Sequence, residues 1–389
     1  MAAEKLYYQD VFMREFQGTV TRCEPWKGSF RVALDRTAFY PEGGGQPWDT
    51  GTLGEAAVQE VHEKEGEVWH YTDRPLEVGS AVTGRVDWDR RFDLMQQHSG
   101  EHLVSGLVHA RFGYDNVGFH MGEAVITMDF NGEIRPEELA EIEAQANARV
   151  WEDRETHIFY PDEEERRQLP YRSKKELTGL VRLVEFPGTD LCACCGLHVA
   201  RTGQIGLIKL LSVQKFREGV RVEMISGGRA LAHVNQLEEQ NHRISVQLSA
   251  KPGETAAAVA RLGEENFALR GRIMELEERL FSQKAAECRG AGNVLLFEEG
   301  LEPDGVRKLA AAVMETCGGL CAVFSGADGA GYKYALGQKD GNLRELCQEM
   351  NRQLSGRGGG KPFFVQGSVS ASRRGIEAFW AQALPDGGR

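Results

Sequence analysis

Trp88-Asp-Arg-Arg-Phe-Asp-Leu-Met-Gln-Gln-His-Ser-Gly-Glu-His-Leu-Val104 organises the reading of this chain. Asp87 or Asp89 can cap a helix at its start, and Phe92, Met95, Leu103 and Leu107 recur at helical spacing to give it an apolar stripe. On such a helix His98 and His102 stand four apart, so both imidazoles leave one face a single turn apart. Two rings so placed can grip one metal ion.

A second pair with the same offset, Cys194 and His198, lies in Leu191-Cys-Ala-Cys-Cys-Gly-Leu-His-Val199. His98, His102, Cys194 and His198 together make a tetrahedral nitrogen and sulfur set, which suits Zn(II), one per chain. Each pair alone is weak, because histidines four apart on a helix are commonly surface or core residues. The eight cysteines do not form a disulfide framework: three crowd into 192–195, Cys317 and Cys321 lie close together, and Cys23, Cys288 and Cys347 are scattered.

The 389 residues allow two or three domains, and 41% apolar with 27% charged residues is ordinary for a soluble globular chain. No apolar run reaches the ~18 residues of a membrane span. The start, Met-Ala-Ala-Glu-Lys-Leu-Tyr-Tyr, lacks the apolar core of a signal peptide, so a cytoplasmic protein is expected. A net charge of −12 argues against broad nonspecific nucleic-acid binding. The tail is the exception: from Asn351 onward Arg352, Arg357, Lys361, Arg373, Arg374 and Arg389 face only Glu377 and Asp386, a local positive balance that a phosphate-backbone contact needs.

The expected class is α+β and multidomain. Residues 1–87 carry short alternating segments (Gly18–Cys23, Ser29–Leu34, Ala57–Val61, Glu67–Tyr71, Ala81–Val86) that predict a small N-terminal β-barrel. Between two of them, Gly43, Gly44, Gly45 and Gln46 form a glycine-rich loop that is neither a Walker A loop nor a dinucleotide fingerprint. Its plain reading is a tight turn; its functional one is exposed backbone N–H groups beside a ligand. Residues 88–228 mix helices and strands in an α/β zinc-binding domain. Residues 229–288 repeat in heptads: Val234, Leu237, Asn241, Ile244 and Leu248, then Val259, Leu262, Asn266, Leu269, Ile273, Leu276 and Leu280. Each stripe has one core Asn, a register device. An antiparallel helical hairpin or a dimer seam is expected, with Pro252-Gly253 as the break. Residues 289–389 predict a C-terminal α/β domain holding a second glycine-rich loop, Arg357, Gly358, Gly359, Gly360 and Lys361, read either as a surface turn or as a phosphate-backbone contact.

With these clusters in order, the chain resembles the alanyl-tRNA editing proteins of the long AlaX type, which look like alanyl-tRNA synthetases freed of their aminoacylation half. The resemblance covers nearly the whole length. It rests on Thr37-Ala-Phe-Tyr-Pro-Glu-Gly-Gly-Gly-Gln46, His98-Ser-Gly-Glu-His102, Cys194-Cys-Gly-Leu-His198, Arg221-Val-Glu-Met-Ile-Ser-Gly227 and Gly358-Gly-Gly-Lys-Pro362. It implies a zinc-dependent hydrolase that deacylates tRNA(Ala) mischarged with serine or glycine, with the four His and Cys residues on the zinc. It further implies that Thr37 senses the serine hydroxyl, that Gly43–Gln46 contacts substrate, that His120 is a polar active-site residue beside Glu101, and that the C-terminal part binds tRNA and dimerises. Cys195 and Leu197 depart from the family's frequent Cys-Gly-Gly-Thr-His, and Phe363-Phe364-Val365 is bulkier than expected after the glycines.

Two other readings remain open at this level. His98-Ser-Gly-Glu-His102 also fits His-x-x-Glu-His, the inverted zinc-protease pattern, with Glu101 as base and Glu176 or Glu185 as a further ligand. Four protein ligands also suit a closed structural zinc in a tRNA-binding scaffold without catalysis.

Overall fold

A computed structural model describes residues 3–173 and 179–383; Glu176, Asp386 and Arg389 lie outside the described residues. The chain divides into two compact units, Met1–Arg243 and Ile244–Arg389.

In the first unit six strands hydrogen-bond in the order Glu15–Trp26, Ser29–Leu34, Glu67–Thr72, Ala56–Lys64, Gly51–Leu53 and Ala81–Val86, and close into a barrel. Alternation decides which side chains fill it. Val20, Val32, Leu34, Leu53, Val58, Val61 and Val68 point inward and form one core cluster with Phe39. The segment that leaves the barrel after Thr37 makes a tight turn, with Gly43 N–H donating to Gln46 O (3.1 Å) and Gln46 N–H to Gly43 O (2.9 Å). Gly44 (φ +60°) and Gly45 (φ +83°) occupy its two central positions, a left-handed pair that favours glycine.

The helix Trp88–Phe112 starts where Asp87 caps it, accepting from Arg90 N–H, and stops at left-handed Gly113 (φ +71°). It is more buried than its apolar stripe predicts. Gln97, His98, Ser99, Glu101, His102 and Ser105 are all sequestered along with Leu103, Val104 and Val108. Two glycines make this possible. A Cβ on Gly100 would lie 2.2 Å from Ser226 Oγ, and one on Gly106 would lie 2.4 Å from Thr189 O. The helix therefore presses directly onto strand Gly219–Ser226 and onto the turn before Asp190. Gly219–Ser226 belongs to a four-stranded antiparallel sheet ordered Ile208–Phe216, Gly219–Ser226, Ile126–Phe130, Asn116–Met121, and helix Pro136–Trp151 packs into the same core.

Arg91 and Asp49 anchor this helix to the barrel segment. Both are fully buried. Arg91 Nε donates to Asp49 Oδ1 (2.8 Å), and its remaining donors reach Val11 O (3.0 Å) and Ala38 O (2.6 Å). Three short strands, His157–Phe159, Leu183–Phe186 and Asp190–Ala193, complete the unit, and the last delivers Cys194.

The second unit holds a five-stranded sheet in the order Gly292–Glu298, Gly318–Ala327, Gly331–Gly337, Phe364–Val369, Arg357–Lys361. Its first pair is parallel, joined through helix Pro303–Cys317, and the rest are antiparallel. Strand Gly318–Ala327 sends Leu320, Ala322 and Phe324 into a core with Met350, Phe379 and Trp380, and Cys321 and Val323 into one with Leu309, Val313 and Phe281. Helices thus cover both faces.

Residues 357–361, expected as a loop, are the sheet's edge strand. Three glycines carry no alternating pattern from which a strand can be read. Yet they are what the register needs: a Cβ on Gly358 would come within 2.4 Å of both Gln366 O and Tyr334 Oη. The heptad segments are helices Gly227–Gln247 and Thr255–Glu287. Phe281 and Ala285 of the longer one dock into the second unit's core, while Val259, Leu262, Leu269, Ile273, Leu276 and Leu280 stay exposed, Leu269 to 63%.

Candidate metal centre

His98 and His102 leave the buried stretch of the helix Trp88–Phe112 toward the loop that follows strand Asp190–Ala193. Cys194 and His198 come from that loop. The four donor atoms all lie within 4.8 Å of one another. The imidazole centroids are 5.3 Å (98 to 102), 4.6 Å (98 to 198) and 4.8 Å (102 to 198) apart. Cys194 Sγ is 3.4 Å from His98 Nε2. A tetrahedral ion with bonds of ~2.3 Å to sulfur and ~2.0 Å to nitrogen holds such a pair about 3.5 Å apart. His102 Nε2 and both His198 nitrogens are buried without a hydrogen-bond partner among the described residues. Buried polar nitrogens are ordinarily partnered, and an ion between these atoms would partner His102 Nε2 and one nitrogen of His198. The donor set fits a metal.

The electrostatics agree. Burial alone raises a thiol, yet His98, His198 and His102 around Cys194 outweigh it and hold the group well below its usual range, as a thiolate. Burial pushes the nearby Cys192 thiol up, reinforced by the charge of Asp190, and Cys195 is raised as well. Of the three clustered cysteines only Cys194 is set up as an anionic ligand. Burial also lowers His198 well below the ordinary imidazole value, which keeps it neutral. Burial likewise disfavours charge on His102, but Asp190 and Cys194 overcome it and bring its pKa to about 10, so an ion at Nε2 takes the place of a proton there.

Each histidine of the helix is held from behind by a different partner. Asp190 Oδ2 lies 2.8 Å from His102 Nδ1, and Arg172 grips both oxygens of that carboxylate (2.7 and 2.8 Å). Burial opposes ionisation of Asp190, but His102 and Arg172 keep its pKa below the usual carboxylate value. The Arg172 guanidinium also opposes a second cation at His102, Asp190 and Cys192, which otherwise lie close enough to share one. Gln46 Oε1 lies 2.9 Å from His98 Nδ1. The Cys194–Gly196 loop is pinned by Arg182, which donates to Cys194 O (2.7 Å) and Gly196 O (3.0 Å), and by Tyr8, which donates to Cys195 O (2.9 Å). Gly196 cannot carry a side chain, since a Cβ would sit 2.1 Å from His98 Cε1.

The remaining predicted residues divide. Gly44 and Gly45 reach the centre through their missing side chains. A Cβ on Gly44 would be 3.4 Å from Gly196 N, and one on Gly45 would be 2.6 Å from Phe119, whose ring stacks on His98 at 5.4 Å. Glu101 is buried on the metal helix, its Oε1 accepting from Ser105 Oγ–H and Asn116 Nδ2–H (2.6 Å each). Thr37 sits beside a buried histidine of the barrel. It is fully buried, 2.8 Å from His70 Nε2, and its oxygen accepts from Phe39 N–H (3.1 Å). His120 is exposed: its neighbour Phe119 faces His98, and strand alternation turns His120 the other way. Glu185, a candidate ligand of the protease reading, pairs instead with His157 at the surface (2.9 Å). No spacing or motif in the sequence marks Asp190, Arg172 or Phe119. Asp190 and His102 are 88 positions apart, and nothing in one sequence joins them. Arg357–Lys361 lies in the second unit, as an exposed edge strand.

Residues 181–223 match the family model described as the threonyl and alanyl tRNA synthetase second additional domain, and residues 5–90 match that of the class II (A) tRNA synthetases. Over 396 residues the chain is 27% identical to the alanyl-tRNA editing protein AlaX-L of Pyrococcus horikoshii, covering 95% of both. It is 28% identical over 400 residues to the alanyl-tRNA editing protein Aarsd1 of Mus musculus, covering 96% of both. An alanine–tRNA ligase of Ignicoccus hospitalis is 30% identical over 374 residues, which are 92% of this chain and 40% of the ligase. The chain thus spans well under half the length of the ligases it matches.

Proposed function

This chain belongs to the alanyl-tRNA editing proteins, and we propose that it is a metal-dependent deacylase acting in trans on tRNA(Ala) mischarged with serine or glycine. The observation that carries this reading is the four-donor centre of His98, His102, Cys194 and His198, in a chain matched over nearly its full length by editing proteins. Zinc is the ion we assign, from the mixed imidazole and thiolate set.

A bound ion supplies Lewis-acid polarisation of the aminoacyl ester or of water. The protein's own residues do the rest. Asp190 and Gln46 hold the two helix imidazoles with Nδ1 turned away, so that each offers Nε2. Phe119 and Phe186 pack against His98 and His102 and keep bulk water from those rings. Glu101, with one oxygen committed to Ser105 and Asn116, is the carboxylate we assign to take a proton at the other. Gly43–Gly45 lines the approach to the ester. Arg357–Lys361, an exposed glycine strand with a cation at each end, suits a ribose-phosphate contact. The exposed heptad stripe of Thr255–Glu287 suits a homodimer seam. Among the described residues no helix is long and apolar enough to cross a membrane, and we place the protein in the cytoplasm with its tRNA.

The test is hydrolysis of Ser-tRNA(Ala), Gly-tRNA(Ala) and Ala-tRNA(Ala) by purified protein. We expect loss of serine or glycine with alanine spared. A metal-loaded protein that hydrolyses none of the three would instead be a zinc-stabilised tRNA-binding scaffold.

A further inference from the structure

We propose that Gln46, beyond the substrate contact assigned to its loop, is a positioning residue of the metal centre, one amide that locks the glycine turn, the metal helix and the cysteine loop into a single arrangement. This inference rests on the metal reading of the site, not on the identity of the substrate.

Gln46 is fully buried. Its Oε1 accepts from two sides, His98 Nδ1 at 2.9 Å and the backbone N–H of Leu197 at 2.9 Å. Leu197 settles which end of the amide faces inward. A backbone N–H is only a donor, so the atom beside it must be the oxygen. Because that oxygen is only an acceptor, His98 must carry a proton on Nδ1, which leaves Nε2, 3.4 Å from Cys194 Sγ, as the nitrogen that can ligate an ion. A single side chain thus fixes the tautomer of one ligand and the backbone just before another, His198.

The other end of the amide supports the same conclusion. Gln46 Nε2 is buried with no partner among the described residues. Leaving an amide N–H₂ unpaired in a protein interior is unfavourable. The opposite flip would bring it to His98 and Leu197, and it is avoided because that would set N–H against N–H. The turn supplies the reach. Gln46 is the residue directly after Gly44 and Gly45, whose positive φ values favour glycine, and a Cβ on Gly45 would lie 2.6 Å from the Phe119 ring. The glycine run therefore serves to seat Gln46 behind His98.

The experiment measures zinc affinity by competition with a chromophoric chelator, with zinc alone and no tRNA, for the full-length protein and for Gln46→Leu and Gln46→Glu. Leu keeps apolar bulk but loses the acceptor; Glu keeps the acceptor and has no N–H₂ to leave unpaired. We expect Gln46→Leu to bind zinc about 10- to 100-fold more weakly, the range for losing the outer partner of a metal-bound histidine. Gln46→Glu should bind at least as tightly as the parent. A second readout is the ¹⁵N chemical shift of the His98 ring, which reports the Nδ1–H tautomer in the parent and in Gln46→Glu and a mixture in Gln46→Leu. Unchanged affinity in Gln46→Leu, or an equal loss in Gln46→Glu, overturns the proposal. A parent protein that binds zinc but hydrolyses no aminoacyl-tRNA leaves it standing while removing the editing reading; a parent that takes up no zinc removes both.

Discussion

His98 and His102 differ by one helical turn and by what stands behind them, a neutral amide for one and an ionised carboxylate with its own arginine for the other. Asp190→Asn keeps an acceptor for His102 but removes the charge, and zinc affinity should fall by about 10-fold or more; an unchanged dissociation constant would show that the carboxylate is incidental. Burial gives His70 the opposite character to His102. Desolvation lowers its pKa to about 4, against the small upward pull of its bond to Val32 O. The unfolded chain protonates this imidazole near pH 6.5 while the folded one resists until about pH 4. Stability from this group is therefore complete above about pH 6.5 and is lost as the pH falls toward 4, by up to about 3 kcal/mol. Denaturant midpoints at pH 7 and 4.5 should differ less for His70→Gln than for the parent, and equal differences would contradict this assignment. The Thr37 hydroxyl bonds this same histidine, so Thr37→Val should cost about 1–3 kcal/mol of stability by leaving a buried nitrogen unpaired.

At the scale of elements, short-range spacing was legible and long-range pairing was not. His98 with His102, and Cys194 with His198, each announce themselves because four residues is one turn or one short loop. The strands of the barrel show through their alternation. Asp190, Arg172 and Phe119 do not, since each acquires its role only when distant segments meet. The glycines were readable as punctuation but not as packing. Gly100 and Gly106 let the helix touch its sheet, and Gly358 belongs to a strand rather than to the loop its composition suggests. The helix itself is held to the barrel by Arg91. Arg91→Ala strands Asp49 in a dry interior, and a loss of about 3–5 kcal/mol in unfolding free energy is expected, the cost of breaking a buried pair from one side. A loss below about 1 kcal/mol would mean that Asp49 finds water or another donor.

For the whole molecule, the apolar stripe of Thr255–Glu287 is the feature that one chain leaves unfinished. A dimer is expected by sedimentation, and Leu269→Asp with Leu276→Asp should shift it to monomer while leaving zinc content intact. A monomeric parent would contradict the assigned seam. The central claim, that one metal held by His98, His102, Cys194 and His198 hydrolyses mischarged tRNA(Ala), is tested most directly by titrating a chelator into the full-length protein and following bound zinc and Ser-tRNA(Ala) hydrolysis in the same samples. The account predicts that activity falls in proportion to zinc, from one ion per chain to none, and returns when zinc is restored. Hydrolysis that persists in fully metal-free, folded protein would contradict it.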